Sequence, residues 1–224
     1  QQVVTQARID PAEIAGLAVS SQGETTIALD ARGNPLRNAL VWLDNRAVAQ
    51  AEQLKALLGE DVYERTGIPD VVATWPACKI LWIKQNEPQV FARAAKFVLV
   101  QDFLVQRLCG RYETDGSISC TTLLYDITTH NWWPRALEAV GLTEAQLPHL
   151  LPVGAAAGTL TPRAAAELGL TTHTQVVLGG MDQAVGAIGA GNIGAGVISE
   201  TTGAALAIQA SIADPMVDKS KQTP

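Results

Sequence analysis

Apolar residues along this chain fall into short runs of strand length, alternating with stretches of helical spacing. "EIAGLAVSSQ" (13–22) is an apolar run that ends in small polar residues and reads as a strand. "TTIALDARGNPLRNALVWLD" (25–44) reads as a hairpin, with a turn at 31–35 around Gly33 and Asn34 and a returning strand. The spacing then turns helical over 45–58, with Gly59 as the stop. "PACKILWIKQNEP" (76–88) predicts a helix opened by one proline and followed by another. "AKFVLV" predicts a short strand, and "QDFLVQRLCG" a helix capped by Asp102 and closed by Gly110. "PRALEAVGL" and "PRAAAELGL" predict two short helices with the same Gly-Leu stop, and 111–134 is looser. "VVLGGMDQAVGAIGAG" (176–191) reads as strand, glycine turn and small-residue helix, and "GVISETTGAALAIQ" as a strand pair around a turn at 201–203. Strands alternating with helices predict an α/β architecture.

Composition narrows the class. With 47% hydrophobic and 17% charged residues among 224, the chain can bury a substantial core. A formal net charge of −6 offers no basic footprint for nucleic acid. No apolar run approaches the ~20 residues needed to span a bilayer. Cys78, Cys109 and Cys120 lack metal or redox spacing, and His130, His149 and His173 lie far apart, so no metal site is expected. Such cysteines read as buried apolar groups of a reducing, cytoplasmic setting. The chain opens on Gln1 inside a predicted helix and closes on a polar tail, which reads as part of something longer.

Four stretches could carry chemistry. Asp182 follows a strand and a Gly-Gly turn, where it serves either as a helix N-cap or as a carboxylate aimed into the ligand crevice of an α/β sheet. In the second case the helix dipole would favour its ionised form, and Ala184, Gly186, Ala187 and Gly189 would let the helix pack closely and hold it. In "SSQGETT", strand alternation puts Gln22 and Glu24 on one side, suited to a polyhydroxylated ligand or to a solvated strand end. "VWLDNR" combines Trp42 as an apolar platform with Asp44 and Arg46; equally, Trp42 could be core and Asp44 an N-cap. Thr201, Thr202 and Gly203 form a turn able to hold phosphate oxygens or simply to close a hairpin.

Taken in order, these stretches resemble the FGGY carbohydrate kinases, the family of glycerol kinase, xylulokinase and gluconokinase. The most specific match is "WPACKILWIKQN" (75–86), with Pro76, Lys79, Ile80, Trp82, Gln85 and Asn86 in the signature's places. "GGMDQAVGAIGAG" is similar to the family's glycine-turn-Asp segment, and "TDGSISCTTLLYD" (114–126) also has its look. The resemblance implies a ribonuclease H-like, actin-like domain that lacks its first strands, spanning residues 1–194, with 195–224 opening a second, ATP-binding domain. It also implies an enzyme that phosphorylates a sugar hydroxyl from ATP with Mg²⁺. Asp182 would be the general base; Gln22, Glu24, Trp42, Asp44, Trp75 and Gln183 would line the sugar site; Thr201, Thr202 and Gly203 would face ATP phosphates. Sugar and ATP are the implied partners, and a homodimer is allowed for.

Departures from the family pattern shape the expectation. Thr201 stands where the phosphate loop usually has glycine, and Glu24 stands where xylulokinases carry His. Gly23 and Thr74 replace an Arg and an aromatic residue of glycerol kinases, which is expected to open the pocket toward a pentulose such as xylulose. The family's Asp-x-Gly-Thr phosphate strand is absent, so these 224 residues alone are not expected to phosphorylate a sugar efficiently. Glycerol or another polyol is the alternative substrate, and a catalytically silent sugar-binding module the alternative function.

Overall fold

The computed structural model describes residues 1–203, 206–213, 216, 218 and 220. The chain begins with helix α1 (Gln2–Ala7) and then enters β1 (Gly16–Ser21). β2 (Ile27–Leu29) ends at a turn organised by Asp30, whose carboxylate accepts from the amides of Arg32 (2.8 Å) and Asn34 (2.9 Å). Beyond the turn the expected returning strand does not form. Only isolated bridges at Leu29–Pro35 and Thr26–Leu40 mark it, because Pro35 lacks a donor and β2 finds another partner. That partner is β3 (Lys96–Val98), reached through α2 (Val48–Leu58), α3 (Asp61–Thr66), α4 (Pro76–Asn86) and α5 (Pro88–Arg93). Pro76 and Pro88 each open a helix, so the second proline is a start as well as a boundary.

α6 (Val100–Cys109) follows, and Asp102 caps it from its third position, accepting from the Leu99 amide at 2.8 Å, instead of standing before it. The loose stretch resolves into β4 (Glu113–Asp115), α7 (Gly116–Ser119), β5 (Tyr125–Asp126) and β6 (Asn131–Trp132). α8 (Pro134–Val140) leads to β7 (His149–Leu151) and β8 (Ala156–Thr159), two strands with no clear pattern in the sequence. α9 (Pro162–Leu168) precedes β9 (Gln175–Met181), α10 (Asp182–Gly189) and the hairpin β10 (Ile198–Thr202) with β11 (Leu206–Ala210). Both Gly-Leu stops occur as expected: the Leu142 and Leu170 amides return to Leu137 and Ala165 carbonyls at 2.8 and 2.9 Å.

Two cores carry most of the burial. α2, α4 and α8 pack Leu54, Leu58, Ile80, Ile83, Leu137 and Val140 together. A second core lies between α6, α9 and a three-stranded sheet of order β1-β9-β8, built on Val19, Val105, Val176 and Leu178. β9 runs parallel to β1 and antiparallel to β8. The β1–β9 register jumps at one point: Val19 faces Leu178, but Ser20 faces Gly180. Gly179 is therefore the extra residue of a bulge, which re-aims the strand end. A Cβ built on Gly179 would lie 2.7 Å from the Val19 carbonyl carbon and closer still to its oxygen.

The close packing thus sits in the glycine pair of β9 and not in α10 as expected. In α10 only Ala187 is buried, and a Cβ on Gly186 or Gly189 would meet nothing within 4 Å. Two substitutions separate these roles. Gly179→Ala should lower stability by about 2 kcal/mol or more, because the obstacle is backbone and cannot move aside. Gly186→Ala should leave stability unchanged or raise it by roughly 0.5–1 kcal/mol through helix propensity. Thermal unfolding of the two variants beside the parent measures both.

Candidate functional site

Parallel pairing brings the ends of β1 and β9 to the same edge of the sheet. Ser21 pairs with Met181, so the next residues on each chain, Gln22 and Asp182, emerge side by side. They open a cleft of about 270 Å³ lined by Gln22, Gly23, Glu24, Trp42, Met181, Asp182, Gln183, Thr201 and Gly203. Such a crevice at the carboxyl ends of parallel strands is where α/β proteins bind ligands.

Asp182 is the first residue of α10 and is exposed. Its Oδ1 accepts from the Gln183 amide at 2.7 Å. The capping alternative is thus realised only as this one local bond. Gln22 and Glu24 both face the cleft, although β1 ends at Ser21 and alternation does not explain it. Glu24 reaches it through a left-handed backbone, φ 58°, which costs a non-glycine residue on the order of 1 kcal/mol. Gln22 is steadied by donating from Nε2 to Thr25 Oγ1 at 2.9 Å. Burial raises the Glu24 pKa; Lys79 opposes the rise and the Asp182 carboxylate adds to it.

The strained turn is held from below. Lys79 of α4 is 0% exposed, and its Nζ donates to the carbonyls of Glu24 (3.0 Å) and Val41 (2.8 Å). One buried ammonium therefore ties the Glu24 turn to the segment carrying Trp42. Desolvation lowers its pKa to about 8, against the pull of the Glu24 and Asp44 carboxylates. The same segment is pinned again three residues along α4. Asp44 forms an ion pair with Arg46 (2.8 Å), and the Arg46 guanidinium stacks 4.9 Å above the Trp82 ring. Sequence reasoning noted Lys79 and Trp82 as signature positions without a role. A lysine on the apolar face of a predicted helix was the available signal, since such a group is buried only when partnered.

Two of the expected lining residues, Asp44 and Trp75, stand outside this cleft. Asp44 is neither a cap nor a cleft residue: α2 starts after Ala47, and the Asp44 carboxylate serves Arg46, which holds it below the usual carboxylate range. Trp75 lies outside the lining, packed on the α2–α4–α8 core with its indole donating to the Asp70 carbonyl at 3.0 Å. Gly23 lines the cleft, and a Cβ built there would lie 2.8 Å from Thr121 Oγ1. On the hairpin, Thr201 and Gly203 line the cleft, while Thr202 Oγ1 donates to the Glu200 carboxylate at 3.0 Å.

Other groups are quiet. Burial pushes the Cys78 and Cys120 thiols up to about 12 and about 11, which leaves them poor nucleophiles. Among the described residues no helix is long and apolar enough to cross a membrane, and no group of three or more His, Cys, Asp or Glu could hold a metal ion.

The N-terminal domain of the FGGY family of carbohydrate kinases matches residues 1–189, and this chain belongs to that family. It is 32% identical over 195 residues to a xylulose kinase of Bacillus subtilis, covering 87% of this chain and 39% of that protein. It is 30% identical over 204 residues to a gluconokinase of Bacillus licheniformis, covering 91% and 40%. The chain thus spans about 40% of the length of these curated relatives. The crystal structure of a ligand-bound xylulose kinase from Lactobacillus acidophilus superposes with a TM-score of 0.88 at 25% identity, over 98% of this chain and 45% of that one. The fold is accordingly the mixed α/β, actin-like fold of the sugar kinases.

Lys79 makes two predictions. Lys79→Met removes both donations, leaving the Glu24 carbonyl only Thr26 Oγ1 (3.3 Å) and the Val41 carbonyl only the Asp44 amide (3.0 Å), and should cost about 1–3 kcal/mol of stability. With a folded pKa near 8 and an ordinary value of 10.5, the folded state sheds this proton before the unfolded chain does. The Lys79 contribution should therefore make stability rise with pH between those values, a slope that Lys79→Met lacks. Denaturant titrations of parent and variant between pH 7.5 and 10.5 check this, and a ¹³C-lysine titration should find one side chain changing charge near pH 8.

Proposed function

We propose that this chain is the sugar-binding part of an ATP-dependent kinase, with Asp182 as the general base. The observation that carries the reading is the juxtaposition of the Asp182 carboxylate with Gln22, Glu24, Trp42 and Gln183 around one cleft. Gln22, Glu24 and Gln183 offer amide and carboxylate groups to hydroxyls, and the Trp42 ring offers an apolar wall to carbon-bound hydrogens. Residues 1–194 form the sugar-binding domain in this reading, and 195–224 open the ATP-binding one. The hairpin supports that division: Ile198, Leu206 and Ile208 are each more than 60% exposed on one of its faces, as a sheet layer awaiting cover would be.

ATP supplies the γ-phosphoryl electrophile when bound. Thr201 and Gly203 are the residues of this chain that would face it, with a hydroxyl and a turn amide as the fitting donors. Mg²⁺ would neutralise phosphate charge when bound, and Glu24 and Asp182 are the carboxylates that line the cleft. The chain's own work is positional. Gln22, Glu24 and Gln183 orient the sugar so that one hydroxyl faces Asp182. The carboxylate takes that proton as the hydroxyl oxygen attacks phosphorus, and the bond to the leaving diphosphate breaks. A pentulose such as xylulose is placed first among substrates, supported by the two xylulose kinases above; glycerol, other polyols and gluconate follow.

A silent sugar-binding module is the second reading, favoured by the Thr202–Glu200 bond, which sets an anion beside the turn meant for phosphate. A coupled ATP-consumption assay of the full-length protein over D- and L-xylulose, ribulose, glycerol, erythritol and gluconate separates the two. Turnover with one sugar should fall about 10²–10⁴-fold in Asp182→Ala while sugar binding persists. Binding without turnover on every sugar would establish the module instead.

A further inference from the structure

Behind Asp182, outside the cleft lining, lies a chain of buried and half-buried polar groups. Gln101 of α6 and Asp115 at the end of β4 are both 0% exposed. Gln101 Nε2 donates to Asp115 Oδ2 at 2.7 Å, and Gln101 Oε1 accepts from the Gly180 amide at 3.0 Å. The other Asp115 oxygen accepts from the Ser117 amide (2.8 Å) and the Ser117 hydroxyl (2.5 Å). Ser117 Oγ in turn accepts from the Met181 amide at 3.2 Å. Two consecutive amides, those of Gly180 and Met181, are thus gripped from one carboxylate through two arms, immediately before Asp182. Gly180 allows the approach: its φ is +88°, and a Cβ there would sit 2.8 Å from Ser117 Oγ.

We infer that the Asp115–Gln101–Ser117 network positions the base, fixing the β9–α10 junction and with it the direction of the Asp182 carboxylate. The inference rests on the proposed role of Asp182. Its physical ground is that β1 pairing resumes beyond the Gly179 bulge at Gly180 and Met181, yet both of their amides donate to side chains, so the strand end is aimed by the network as well as by the sheet. In a buried setting the network's polarity is fixed. The carboxylate only accepts, so the Gln101 amide nitrogen must face it and the amide oxygen must face Gly180. A buried charge with two charge-assisted arms is a stiff anchor, whereas α10 itself offers little grip.

The polarity also supplies the test. In Asp115→Asn the new side-chain oxygen can still serve Ser117, but its NH₂ then meets the Gln101 NH₂. Turning Gln101 over only moves the donor–donor clash to the Gly180 amide. Adding Gln101→Glu restores every bond with the charge relocated: the introduced carboxylate accepts from the new side-chain amide at position 115 and from the Gly180 backbone amide. In the full-length protein, Asp115→Asn should lower kcat about 10- to 100-fold with sugar KM within about twofold, as expected for a misaimed base. Asp115→Asn combined with Gln101→Glu should recover most of the loss. Amide exchange at Gly180 and Met181 should quicken in the single variant and return in the double, with global unfolding measured alongside. An Asp115→Asn enzyme whose folded fraction retains full kcat, or a loss that Gln101→Glu does not repair, overturns the inference. Asp182→Ala run in parallel keeps the two readings apart. Full turnover in Asp182→Ala removes the base assignment and with it the thing positioned. Loss in Asp182→Ala beside full kcat in Asp115→Asn removes the network alone.

Discussion

The pairing of β1 with β9 is the constraint on which the site depends. Parallel strands end on the same side, so one pairing delivers two loops that are 160 residues apart in sequence to a common edge. The pairing tolerates no side chain at Gly179, where the Val19 carbonyl occupies the space. The bulge made there shifts the register, so that Gly180 and Met181 pair with Ser20 and Ser21 while their amides donate to the Gln101 and Ser117 side chains. A sheet of three strands with one bulge therefore does two jobs: it gathers the cleft, and it exposes the strand end to a buried network that can aim it.

Two buried charged groups stand behind the cleft and divide the work. Lys79 holds the half of the cleft where Glu24 sits in a left-handed turn and Trp42 follows Val41. Asp115 holds the half that carries Asp182. Each is expensive to bury, and each is accepted because its hydrogen bonds end on backbone or on a polar side chain. Both halves are thereby built on rigid elements, α4 and α6, instead of on the loops themselves. The α4 signature gains a physical sense from this arrangement. Lys79 and Trp82, three residues apart and so neighbours on the helix, grip the same loop, one by donation and one by stacking under Arg46.

Much of this was legible in the chain. Helix starts at Pro76 and Pro134, stops at Gly59 and Gly141, and the strand–turn–helix around Asp182 follow from local chemistry acting within a few residues. Local chemistry also misled where a distant partner intervened. The segment after Gly33 has the turn of a hairpin, but β2 pairs with β3 across about seventy residues and the return stays irregular. The glycines and alanines of α10 look like packing residues, yet the residues that needed to be small were Gly179 and Gly180.

By itself the sequence determined the order and type of the main elements, the α/β class, the family and the carboxylate at the end of β9, because periodicity, caps and motifs are short-range properties. Only the tertiary structure decided which groups share the cleft. It separated Trp42 from Trp75 and Glu24 from Asp44, and it made Lys79, Gln101 and Asp115 a support. Those outcomes depend on register and burial, which are set by contacts between residues far apart in the chain, and a buried polar group shows its partner only once the backbone around it is in place.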